Sequence, residues 1–150
     1  MNEFEQYKEH LQKYEHIAEF KKKVMKIVFR KNLSSVMNDT KWLELQKAIE
    51  ILPFPPPYTV KSVTYEDDWS NGNLEDAPRY VGDWSNFWEE GLPPFFTIEW
   101  MKVRPRYGKY RGRLVADEIF DETEEFIAIL EKYSIPYENE NGTITIYGYK

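Results

Sequence analysis

The chain has 150 residues, 41% of them hydrophobic and 17% aromatic, and a net charge of −6. That much ring area excludes a disordered polymer, and a chain of this length builds one core without covalent staples. The absence of cysteine excludes disulfides, thiolate metal sites and thiol catalysis.

The first residues, Met1-Asn2-Glu3-Phe4-Glu5, are acidic and lack the basic-then-apolar layout of a secretion signal. No apolar run approaches the roughly 20 residues a membrane helix needs. A cytoplasmic protein with no membrane partner is therefore expected. Phe4, Tyr7, Leu11, Tyr14 and Ala18 recur at helical intervals, and Ile17, Phe20, Val24 and Ile27 continue the stripe one position back. The change of register near Ala18 predicts one curved helix or two pieces. This amphipathic extension, residues 1–33, is expected either to dock on the remaining domain, residues 38–150, or to pair with a second copy as a homodimer.

Asn38-Asp39-Thr40 supplies cap residues for a second helix carrying Trp42, Leu45, Ile49 and Leu52 on one face, and Pro53 stops it. Pro55-Pro56-Pro57 delivers the chain extended to a β-rich run, Tyr58–Tyr65. Residues 66–94 read as a long acidic loop, and loops of this length carry function or move. Phe95–Val103 is the most strand-like segment, with both faces apolar enough to sit centrally in a sheet. A short strand around Gly112–Val115 is expected after it. A helix starting near Asp121 or Thr123 carries Phe126, Ile129, Leu130 and Tyr133, and Asn141-Gly142 marks a closing hairpin. The order predicts an α+β fold, a mainly antiparallel sheet packed with two or three helices plus the N-terminal amphipathic helix.

Metal chemistry finds little support. His10 and His16 lie about 600° apart around a helix, too far round to grip one ion. The segment Asp67-Asp68-Trp69-Ser70-Asn71-Gly72 opens like a calcium loop, but Trp69 stands where an oxygen ligand is needed and Pro78 where a bidentate Glu belongs. With no Gly-rich phosphate loop either, no cofactor is expected. Glu99, in an apolar strand, is the best single acid for a carboxylate hydrolase, with Asp68, Asp83 or Glu90 as its partner and Arg104 or Arg106 as competing ion-pair partners.

Two segments remain. Lys102 to Arg113 interleaves six cations with tyrosines. Arg104, Arg106, Tyr107, Lys109, Tyr110, Arg111 and Arg113 could neutralise phosphates and stack bases, although the pI near 5.1 runs against nucleic-acid binding. The acidic loop repeats Asp68-Trp69-Ser70-Asn71 as Asp83-Trp84-Ser85-Asn86 and adds Trp88. Trp is the residue most enriched in interface hot spots. Trp69, Trp84 and Trp88 are the expected anchors for a protein partner, with Asp67, Asp68, Asp83, Glu89 and Glu90 as a charged rim. Replacing Trp84 and Trp88 by Ala is expected to abolish capture and leave the fold intact.

Asn38-Asp39-Thr40-Lys41-Trp42, Leu52-Pro53-Phe54-Pro55-Pro56-Pro57-Tyr58, Phe96-Thr97-Ile98-Glu99-Trp100 and the ending from Ile135-Pro136-Tyr137 to Gly148-Tyr149 resemble a family of small bacterial proteins of unknown function, over about residues 38–150. Small acidic proteins of this kind also resemble immunity proteins, which neutralise a toxin by binding it. The resemblance supplies no catalytic residue. The expected function is a non-catalytic protein-binding module, immunity-like or regulatory, acting through the acidic Trp-rich loop. Nucleic-acid binding through residues 102–113 and hydrolysis at Glu99 are the alternatives.

Overall fold

A computed structural model describes residues 2–65, 74–86 and 91–150. The N-terminal stripe forms two helices, α1 (Glu3–Gln12) and α2 (Ile17–Arg30). They separate where the apolar register shifts, through a turn whose last residue, His16, is left-handed (φ 63°). Tyr7 carries α1 into the main core: its ring stacks on Phe95 at 4.4 Å, and its hydroxyl accepts the Phe95 amide at 3.0 Å. Losing that acceptor strands a buried N–H. Tyr7→Phe should therefore lower stability by about 1–2 kcal/mol in urea unfolding; a change under about 0.5 kcal/mol would mean the bond contributes nothing net. Val24 anchors α2 in a second cluster with Val63, Phe96 and Tyr149.

Helix α3 (Asp39–Ala48) starts where the cap residues predict, with Asn38 Oδ1 accepting the Lys41 amide at 2.8 Å. A 3-10 turn, Ile49–Ile51, extends it toward Pro53. The sheet has the order β1-β2-β6-β5, where β1 is Tyr58–Ser62, β2 Ile98–Val103, β5 Glu138–Glu140 and β6 Thr143–Tyr147, and every pairing is antiparallel. β2 is central, as its double apolar face predicts. It is shorter than expected because Pro94 turns the chain first: Thr97 donates its amide (2.9 Å) and hydroxyl (2.7 Å) to the Pro94 carbonyl, and Phe95–Thr97 form a 3-10 turn.

A separate two-stranded ribbon pairs β3 (Arg106–Lys109) with β4 (Glu118–Asp121). Gly112–Val115, expected as a strand, is instead part of the connection, where the Val115 amide bonds the Gly112 carbonyl at 3.3 Å. The glycine adopts φ 146°, which side-chain-bearing residues rarely adopt. Helix α4 (Thr123–Lys132) begins with Asp121 Oδ1 accepting the amide (2.9 Å) and hydroxyl (2.6 Å) of Thr123. The closing hairpin turns at Asn141 (φ 54°) and Gly142 (φ 85°), the positive-φ pair a two-residue turn requires. Trp42 and Leu45 of α3, Phe126 and Leu130 of α4, Met101 of β2 and Ile144 of β6 share the main core.

Candidate functional site

Helix α1, and α3 with the 3-10 turn that continues it, each present four residues at positions i, i+3, i+4 and i+7, the spacing that places side chains on one helix face. Glu3, Gln6, Tyr7 and His10 from α1 and Leu43, Gln46 and Lys47 from α3, with Glu50 from the 3-10 turn that continues it, line the two walls of an open groove of about 890 Å³. Residues 81–86 supply much of the third side, with Trp84 among the apolar lining. The charged lining is Glu3, Glu50 and Asp83 against Lys47, and Lys47 is already paired with Glu3 at 2.8 Å. The groove is therefore apolar within and acidic at its edge.

Residues 81–86 are held by specific bonds. The Trp84 indole N–H donates to the Pro56 carbonyl at 2.9 Å, and its ring meets Tyr58 edge-on at 5.0 Å. The Tyr58 hydroxyl donates to the Asp83 carbonyl. Gln46 donates to the Trp84 carbonyl (2.6 Å) and to Asn86 Oδ1 (3.1 Å), while His10 Nε2 lies 3.1 Å from the Asn86 carbonyl. Gly82 sits where any Cβ would run into the Pro56 carbonyl, so the close approach of the two segments requires glycine. The Asp83 carboxylate accepts the Ser85 amide at 2.9 Å, and hydrogen bonds from Ser85 hold it below the usual carboxylate range.

Of the expected anchors and rim, Asp83 is exposed at the groove edge. Trp69, Trp88, Asp67, Asp68, Glu89 and Glu90 lie outside the described residues. Trp84 is 7% exposed and belongs to the main core. The expectation that the fold tolerates its loss is thus corrected, because the ring is a structural wedge between the 81–86 segment, Pro56 and Tyr58. Leu43, Gln46 and Glu50 went unnoticed in the sequence because they lie off the core stripe of α3; an apolar Leu43 outside that stripe was the available signal.

The basic segment is divided. Arg104 is buried, and its guanidinium donates to the Asp76 carbonyl (3.0 Å), the Asn141 carbonyl (2.6 Å) and Thr143 Oγ1 (3.2 Å), and also to the Asp76 carboxylate. Arg106 pairs with Asp76 and with Asp121 at 3.5 Å. Arginine hydrogen bonds from both partners hold the Asp76 carboxyl low, that of Arg106 most strongly. Tyr107 lies between Phe54 and Phe120, Tyr110 carries the Arg79 guanidinium 5.0 Å above its ring, and Arg111 donates to the Ala116 carbonyl at 3.1 Å. Lys109, at the end of β3, and Arg113, in the connection to β4, are exposed.

Glu99 pairs with Lys61 at 2.8 Å and stands 4.0 Å from Lys31, so lysines rather than the expected arginines compensate it. The carboxyl with the more unusual setting is Glu122, at the start of α4. It is 1% exposed, its oxygens have no hydrogen-bond partner among the described residues, and burial pushes its pKa up to about 7.

Residues 24–150 match the model of a family of unknown function, DUF6678. The chain belongs to that family. Neither a curated protein nor a solved structure matches it. The DUF6678 match starts within α2 and includes α3 and the 81–86 segment, two sides of the groove; α1, which forms the other wall, lies outside it. Among the described residues no group of three or more His, Asp or Glu is placed to hold a metal ion, and no helix is long and apolar enough to cross a membrane.

Proposed function

We propose that this DUF6678 chain is a non-catalytic protein-binding module, immunity-like or regulatory, whose binding face is the groove between α1, α3 and residues 81–86. The observation that carries this reading is the combination of an open apolar interior with an acidic edge in one concavity. Apolar depth provides affinity, and like-signed charge at the edge accelerates the approach of an oppositely charged surface. The partner is accordingly a protein segment with apolar side chains flanked by lysine or arginine. The polar groups of the groove, Gln46, His10 and Asn86, bond one another and the backbone of the third side, which suits a rigid receptor surface.

Charge reversal at two exposed positions tests this without touching the core. In affinity capture from native extract, Glu50→Lys with Asp83→Lys should reduce the captured partner about tenfold or more, since close charge pairs across interfaces are worth several kcal/mol. Lys109→Glu with Arg113→Glu, at the end of β3 and in the connection after it, should leave capture unchanged. The opposite pattern would move the binding face to the basic segment.

A further inference from the structure

Helix α2 carries two separate apolar strips. Val24, with Ile17, Ile27 and Val28 nearby, faces Val63, Phe96 and Tyr149. Ala18, Met25 and Phe29 lie roughly 120° round the helix from Val24, and Phe29 is 88% exposed. This outward strip is bordered by Lys21, Lys22 and Lys26, and every residue lining it comes from α2 itself. Lys21 leans over the Phe96 ring at 5.9 Å. With Lys23 and Arg30, the helix has five cations against the single acid Glu19.

We propose that the outward face of α2 docks on an anionic lipid surface, with the helix lying in the surface plane, Phe29 and Met25 in the headgroup region and the lysines against lipid phosphates. Two features favour a lipid surface. The strip is open and one helix wide, so it suits a deformable sheet of headgroups. Its charged borders are lysines, whose long stems follow an apolar surface while the ammonium groups stay in water. Protein interface cores share the enrichment in Phe and Met but are depleted in Lys, so the lysine border is what favours lipid.

A second copy is a poor occupant, because two-fold pairing of α2 sets its cations against the same cations. The overall charge of −6 is not an obstacle, since repulsion from acids beyond a Debye length, about 8 Å in physiological salt, is largely screened. The expectation of no membrane partner rested on spanning length, and a helix that lies in the surface needs no such run.

The test is flotation of the full chain with vesicles of pure phosphatidylcholine and with equimolar phosphatidylcholine and phosphatidylserine. Binding is expected to the anionic vesicles, with retention on the neutral ones at least about tenfold weaker, and to weaken as salt rises. Phe29→Ser should weaken it about tenfold, the effect of withdrawing one large apolar side chain. Lys22→Glu with Lys26→Glu should abolish it. Both variants change exposed side chains, and an unchanged far-ultraviolet circular dichroism spectrum establishes that they fold. Absence of binding to anionic vesicles overturns the proposal. So does binding indifferent to Phe29→Ser, which would be ionic adhesion alone, or a matching affinity for duplex DNA with the same indifference.

Discussion

Trp84→Ala is expected to destabilise the protein by about 3–5 kcal/mol, the usual cost of removing a large buried aromatic side chain. The residue is 7% exposed, its N–H satisfies the buried side of Pro56, and Tyr58 packs on its ring. Truncation opens a cavity and also leaves the Pro56 carbonyl without its donor. Trp84→Phe keeps much of the volume and loses only that bond and part of the ring, so it should cost roughly 1–2 kcal/mol. Urea unfolding of the two variants separates the contributions. A loss below about 1 kcal/mol for Trp84→Ala would show that the ring is not part of the core. A loss of the expected size means that capture by this variant must be read beside its stability, which is why charge reversals at Glu50 and Asp83 are the cleaner functional test.

Glu122 makes stability depend on pH in an unusual direction. The Asp76, Asp83 and Glu138 carboxyls are held below their ordinary values by hydrogen bonds and favour the fold as pH rises through the acid range. Glu122 is displaced upward, from 4.5 to about 7, chiefly by burial and further by the nearby charges of Glu125 and Asp121; the Phe54 amide opposes the shift without making a well-formed hydrogen bond. Its folded form binds the proton more tightly than its unfolded form. The fold therefore carries no penalty at low pH, loses stability from about pH 4.5 to about pH 7, and keeps the full penalty above that. The displacement corresponds to a penalty on the order of 3 kcal/mol. Glu122→Gln cannot ionise, so its stability should fall less across that window and exceed that of the parent above neutrality. Parallel profiles for the two proteins would mean that the carboxyl is solvated.

Local signals were legible. The Asn38 cap, the break of the N-terminal stripe, the Asn141-Gly142 turn and the central position of β2 each depend on residues within a few positions of the feature. The ends of β2 and of the ribbon were less legible, because Pro94 and the Asp76 carboxylate act through turns and long-range bonds. The groove was half visible. Asp83 is marked by its repeat and Tyr7 by the apolar stripe, but Glu3, Gln6 and His10 read as ordinary solvent-facing helix residues until α3 stands beside them. Glu122 was invisible for a different reason. An acid in the first turn of a helix ordinarily serves the helix dipole from solvent, whereas the Glu122 amide is bonded to the Pro105 carbonyl at 2.9 Å and its carboxyl lies against the Phe54 backbone, contacts distant in sequence.

Hydrogen exchange on the protein alone and in complex with its captured partner tests the binding face most directly. Binding in the groove should slow exchange in residues 43–52 and 81–86, with the β3–β4 ribbon unchanged. Protection confined to the ribbon, with residues 43–52 and 81–86 exchanging as in the free protein, would contradict it.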